Sequence, residues 1–116
     1  MHHALINYIE FPAKDLAATQ TFFQQAFGWK FTSYGPEYIA FYESGVAGGF
    51  FQSELYADTE SGSALIVLYS KNLEETQTIV EQSGGQISKP IFSFPGGRRF
   101  HFKEPSGNEL AVWSDK

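Results

Sequence analysis

The stretch Asn72–Gly85 reads NLEETQTIVEQSGG, and it has a twin upstream, Asp15–Gly28, reading DLAATQTFFQQAFG. The two align without a gap at a constant offset of 57 residues. Leu16, Thr19, Gln20, Thr21, Gln25 and Gly28 recur as Leu73, Thr76, Gln77, Thr78, Gln82 and Gly85, and Phe22 and Phe23 stand against Ile79 and Val80. Asp15 and Asn72 are good N-caps, apolar residues follow near helical spacing, Gly28 ends the first helix as a left-handed cap, and Gly84-Gly85 ends the second. Glu74 and Glu75 fall in a first turn, where the helix dipole favours acids. One helix type present twice implies that a larger supersecondary unit is present twice.

Working outward, the same programme flanks both helices. In the first half, Asn7–Phe11 is a short apolar strand closed by Pro12, and Trp29–Tyr34, Tyr38–Tyr42 and Ala47–Ser53 read as three more strands. Gly48-Gly49 weakens the last of these or admits a close neighbour. Ala57–Ser63 is polar and reads as a linker. In the second half the strands are Ala64–Tyr69, then Gln86–Lys89 or Ile91–Phe94, then Arg99–Lys103 and Glu109–Trp113. The chain is therefore expected to be α+β. It should hold two tandem βαβββ modules, at about 4–56 and 64–114, joined by linker 57–63. They should form a curved mixed sheet around a cleft, with the helices on the outer face.

Composition limits the function. A chain of 116 residues holds one compact domain with a real core. Twelve Phe and six Tyr favour sheet surfaces and a filled interior. The net charge is −5 and the basic residues are scattered apart from Arg98-Arg99, which argues against nucleic acid. There is no cysteine, hence no disulfide, thiol nucleophile or thiolate metal site. No apolar run approaches a membrane span and no signal peptide is visible, so a soluble cytoplasmic protein is expected. Met1-His2-His3 reads as a frayed leader.

The IEFPAKDL opening, the AFGWKF helix-to-strand junction and the closing RRFHFKEPSGNELAVW resemble the glyoxalase/bleomycin-resistance/extradiol-dioxygenase group, the vicinal-oxygen-chelate superfamily. The resemblance covers nearly the whole chain, which makes 1–116 a single glyoxalase-like domain. It implies clefts built within one chain or across a dimer, and functions from lyase, isomerase, epimerase and dioxygenase to metal-free drug binding. It also implies metal ligands, His or Glu, on four strands. Those positions fall here on Tyr8, on Leu65, on Ala111 and near Gly49, with Gln52 in its place if that strand shifts. Leucine and alanine cannot ligate, so no metal and no cofactor is expected at the family position.

Strand alternation defines the cleft face, because residues two apart share a side. That face carries Tyr8, Glu10, Tyr38, Ala40, Tyr42, Leu65, Val67, Tyr69, Arg99, His101, Lys103, Glu109, Ala111 and Trp113, with Phe100 and Phe102 left for the core. Candidate catalytic residues are Glu10 and His101. His101 reads as a general base or as an imidazole hydrogen-bonded within the sheet, and Glu10 as a base or as the ion-pair partner of Arg99 or Lys103. Candidate ligand-binding residues are Tyr8, Tyr38, Tyr42, Tyr69, Arg99, Glu109 and Trp113. Gly48-Gly49 reads as a packing or bulge feature and Ser106-Gly107-Asn108 as a turn.

Three functions compete. The first is a metal-free binder of a small organic molecule. The second is a lyase, isomerase or dioxygenase using a relocated set such as Glu10, His101 and Glu109, or acid–base chemistry without metal. The third is a structural or regulatory partner whose cleft is plugged by its own aromatics. A homodimer is expected, with no nucleic acid or membrane partner.

Overall fold

The structure is a computed structural model that describes residues 3–116; the terminal Met1-His2 part of the expected leader lies outside the described residues. The first module runs β1 (Tyr8–Ala13), α1 (Leu16–Phe27), β2 (Lys30–Ser33), β3 (Tyr38–Tyr42) and β4 (Ala47–Gln52). The second runs β5 (Ile66–Tyr69), α2 (Leu73–Gln82), β6 (Gln86–Phe94), β7 (Gly97–Lys103) and β8 (Glu109–Ser114). The expected mixed sheet is present as two four-stranded halves of matching order, β1-β4-β3-β2 and β5-β8-β7-β6. In each, the first strand pairs in parallel with the last and the other pairings are antiparallel. Among the described residues no helix is long and apolar enough to cross a membrane.

Both helices start as their sequences dictate. The carboxylate of Asp15 accepts from the Ala18 N–H at 3.0 Å, and the Asn72 side chain accepts from the Glu75 N–H at 3.1 Å. Their ends differ. Gly28 is left-handed at φ 71° and caps α1, whereas α2 passes through Ser83 and the left-handed residue is Gly84 at φ 103°. Gly85, the aligned twin of Gly28, is needed for another reason. A Cβ there would come within 2.7 Å of Val80 and 2.8 Å of the Phe22 ring, so glycine lets the second module close against α1.

The core is largely aromatic. Phe11, Phe22, Phe23, Trp29, Phe41, Phe50, Phe100 and Phe102 are all buried. Trp29 stacks between Phe23, at 4.5 Å between centroids, and Phe41, at 4.8 Å. The modules are joined where Phe22 and Phe27 of α1 meet Phe102 of β7, at 5.6 and 5.9 Å.

A polar staple joins them too. Glu104, buried in the turn before β8, accepts from the Thr19 hydroxyl of α1 at 2.7 Å and from the Ser106 N–H at 2.5 Å. Ser106 Oγ accepts from the Asp15 N–H at 3.2 Å, and the Asn108 amide donates to the Pro12 carbonyl at 2.7 Å. The turn expected at Ser106-Gly107-Asn108 is present, with Gly107 left-handed at φ 95°.

Two expectations change in detail. The alternatives Gln86–Lys89 and Ile91–Phe94 are one strand, β6, broken by register shifts between Ile87 and Lys89 and between Lys89 and Phe92. Pro90 lies there and has no N–H for the ladder. The linker is no free spacer. Ala57 N–H donates to Asn108 Oδ1 and its carbonyl accepts from Glu109 N–H, each at 2.8 Å, so the segment is bound onto the start of β8.

Candidate functional site

Each sheet has one face turned to the core and one turned away. In β1, Ile9, Phe11 and Ala13 face inward, so Tyr8 and Glu10 face out; in β3, Ile39 and Phe41 are buried and Tyr38, Ala40 and Tyr42 share the outer face. In the second sheet Phe100, Phe102, Leu110 and Val112 are inward, leaving Arg99, His101, Lys103, Glu109, Ala111 and Trp113 on the opposite side. The alternation therefore predicted both faces correctly. The candidates divide into two groups, one on each sheet.

On the first sheet, Tyr38 Oη donates to Glu10 Oε2 at 2.9 Å and lies 2.5 Å from Tyr8 Oη. The geometry depends on Gly49. Glu10 pairs with Gly49, and Gly49 pairs with Ala40, so a bare position separates Glu10 from β3. The Tyr38 ring lies across that position, where any Cβ on residue 49 would collide with its phenol. Gly49 is thus the close-approach glycine that the Gly-Gly pair suggested. Desolvation, followed by the hydrogen bonds to Tyr8 and Glu10, holds the Tyr38 phenol well above the ordinary tyrosine range. Gly49→Ala is expected to evict the ring and bring the Tyr38 titration down toward its ordinary value, as tyrosine ring-carbon NMR across alkaline pH would read. Gln52 does not share this face; its side-chain amide donates to the Lys14 carbonyl at 2.9 Å, which removes the alternative placed on it.

On the second sheet, His101 is 2 % exposed and its Nδ1 lies 2.7 Å from Glu109 Oε2. Glu109 Oε1 accepts from both the N–H and the hydroxyl of Thr59, each at 2.8 Å. Burial pushes this carboxyl up, but the donors from Thr59 and His101 outweigh it and hold Glu109 below the usual carboxylate range. Glu109 takes the Nδ1 hydrogen and leaves Nε2 as the ring atom still to be paired. Nε2 is buried and has no hydrogen-bond partner.

Phe92 of β6 stands over the His101 ring at 5.8 Å. Arg99 is held between Phe92 and Phe94, with its guanidinium carbon 5.3 and 5.6 Å from their centroids. Trp113, the register partner of Arg99, packs edge-on against Tyr69 at 5.2 Å.

Several candidates are therefore engaged otherwise than expected. Glu10 pairs with Tyr38, not with Arg99 or Lys103, and Lys103 lies 3.8 Å from Asp58. Among the described residues no three His, Cys, Asp or Glu side chains come together, so within one chain Glu10 does not join His101 and Glu109. Glu109, a ligand-binding candidate, is buried and bonded to His101. The residues not foreseen are Phe92, Phe94 and Thr59. The Phe92-Ser93-Phe94 alternation marked the two rings for one face, whereas no local pattern marked Thr59.

A hollow lies between the two modules. It has a volume of about 480 Å³ and opens between edge strands β1 and β5, lined by Ile9, Phe11, Trp29, Phe41, Ile66 and Leu68 among others. Most of these are inward-facing apolar side chains, and Val67 and Tyr69 from the other face of β5 line it too, so it is a largely apolar groove between modules that reaches Tyr69, while the carboxylates, His101 and Arg99 lie outside it.

The comparisons with known proteins agree with the fold. No curated protein sequence gives a significant match. Among solved structures, a glyoxalase-related enzyme from Fulvimarina pelagi superposes with a TM-score of 0.79 at 18 % identity, over 96 % of this chain and 88 % of that one. The genomically encoded fosfomycin resistance protein FosX from Listeria monocytogenes gives 0.79 at 18 %, over 98 % and 94 %. Lactoylglutathione lyase from Agrobacterium tumefaciens gives 0.71 at 20 %, over 96 % and 93 %. At such identities the likeness is one of fold. The sequence itself carries more: the family model matches residues 5–112, both modules included, and the chain belongs to the glyoxalase/bleomycin resistance protein/dioxygenase superfamily.

Proposed function

We propose that this chain is a small-molecule-binding protein whose aromatic sheet faces hold a flat or amphipathic organic ligand without the divalent metal typical of the superfamily's enzymes. The observation that carries this reading is the donor set at the implied ligand positions. Tyr8 is a phenol already bonded to Tyr38, the place beside Gly49 is filled by the Tyr38 ring, and Leu65 and Ala111 offer no donor atom. A catalytic zinc site takes three protein ligands or so, nitrogen, sulfur or carboxylate oxygen. The residues present do not fit such an ion. Elemental analysis after dialysis tests this. Substoichiometric zinc, nickel, manganese and iron is the expected result, and near-stoichiometric retention of any one would overturn it.

A second reading, metal-free acid–base catalysis, is favoured by one observation. Glu109 and Thr59 orient His101 with its Nε2 free, which is the arrangement a general base needs. Turnover lost in His101→Gln while ligand affinity is retained would place this reading first.

We also assign a homodimer. β1 and β5 end their sheets with free edges, and the apolar groove lies between them. Leu5, Ile6, Val46 and Val67 are exposed nearby in the chain, at 65, 78, 37 and 41 %. A second copy is the occupant that covers these edges. Light scattering at micromolar concentration is expected to give twice the chain mass; a monomer would refute the assignment.

A further inference from the structure

Two adjacent arginines have different employment. Arg98 donates to Glu74 of α2 and to the Lys116 carbonyl at 3.0 Å, so it is spent on the fold. Arg99 points to the other side of β7 and makes no ion pair among the described residues. Its guanidinium lies against the rings of Phe92 and Phe94, and its Nε is buried without a hydrogen-bond partner. A buried, unpartnered donor on a cation is costly unless something completes it. Two residues along, on the same face of the same strand, the His101 Nε2 is the second buried polar atom without a partner. Nothing else in the described residues leaves two such atoms so close in sequence and on one face.

The chemistry of the pair narrows the ligand. Arg99 supplies a planar charged donor that matches a carboxylate. His101, with Nδ1 given to Glu109, turns only Nε2 to the ligand side, and a hydroxyl can pair with that atom as donor or as acceptor. The surrounding surface is aromatic, from Phe92, Phe94, Trp113 and Tyr69, and suits a flat ring. We propose that the outer face of the second sheet binds a planar organic hydroxy acid, its carboxylate on Arg99, its hydroxyl on His101 Nε2 and its ring among these aromatics. Phe92 must turn aside for the hydroxyl to reach Nε2. It is 36 % exposed and is the register partner of Arg99, so the movement is a side-chain rotation that leaves the pairing of β6 with β7 in place.

This names the ligand class for the small-molecule reading above and rests on it. The probe set is salicylate, benzoate, which lacks the hydroxyl, and salicylamide, which lacks the charge. Binding is read by ring-proton NMR shifts of Trp113 and Phe94, neither of which lines the groove between the modules, and by calorimetry. Salicylate is expected to bind at least tenfold more tightly than salicylamide, and several-fold more tightly than benzoate. Arg99→Gln should abolish the preference for salicylate over salicylamide, while Arg98→Gln should lower thermal stability and leave the preference intact. In Phe92→Ala, which uncovers Nε2 without touching either polar partner, the preference for salicylate over benzoate should persist. Salicylamide shifting the same rings as strongly as salicylate would overturn the hydroxy-acid inference and leave the small-molecule reading standing. No shift on this face with any of the three would overturn both. An Arg99→Gln protein that loses its dimer and never binds salicylate would assign Arg99 to a protein interface and overturn the inference as well.

Discussion

Taking the protein from about pH 8 to about pH 5 is expected to stabilise it, with Glu104 alone contributing about 3 kcal/mol. Burial pushes the Glu104 carboxyl up to about 7, against the hydrogen bonds from Thr19, Ser106 and Asn108 that favour its charged form. Its unfolded value is the ordinary one, 4.5. The folded state therefore binds the proton more tightly, and stability falls as pH rises from about 4.5 through about 7. The carboxyls held low, among them Glu109 and Asp58, act in the opposite sense, and their contribution is lost only as pH falls below their ordinary range. Stability should thus peak near pH 5, and urea unfolding across that range reads it. Glu104→Gln should flatten the slope between about pH 5 and about pH 8, because it keeps an acceptor for Thr19 and Ser106 and cannot ionise. A slope unchanged in Glu104→Gln would assign it to another group.

The second large effect is expected at Phe22. Phe22→Ala should cost about 3–5 kcal/mol, the range for emptying a fully buried aromatic site. Phe22 is 0 % exposed and meets Phe23 at 5.0 Å, Phe27 at 6.0 Å and Phe102 of the other module at 5.6 Å. Gly85 is pressed against its ring, so the backbone there is poorly placed to collapse into the cavity. The loss should appear in urea as a lower midpoint with one cooperative transition, since the modules share this contact and do not unfold apart. Two transitions in the variant would show instead that Phe22 couples the modules and that each is stable alone.

Much of this architecture was written in local pattern. The twin helices were visible because caps, apolar spacing and closing glycines are short-range signals, and the outer faces followed from alternation in strands whose inward partners are large aromatics. What stayed hidden depends on contacts between distant parts. Glu104 reads as one residue of a turn; its burial comes from Thr19, 85 residues away. Alternation put Glu10 and Arg99 on outward faces without saying that the two faces belong to separate sheets, so the expected ion pair does not form within the chain. Phe92 and Phe94 were obscured by Pro90, which made one bulged strand look like two alternatives. The glycine pair that ends the second helix divides two tasks that no local pattern separates: Gly84 takes the left-handed conformation, and Gly85, aligned with Gly28, leaves space for Phe22.

The central claim is that the outward aromatic faces bind a small organic molecule without metal. It is tested most directly by two-dimensional NMR of chelator-dialysed protein titrated with flat aromatic acids and amides. Saturable shifts are expected at Phe92, Arg99 and Trp113, with or without Tyr8 and Tyr38, in the absence of any added ion. Shifts confined to Trp29, Phe41 and Ile66 around the apolar groove, or shifts that appear only once zinc, nickel or manganese is added, would contradict it.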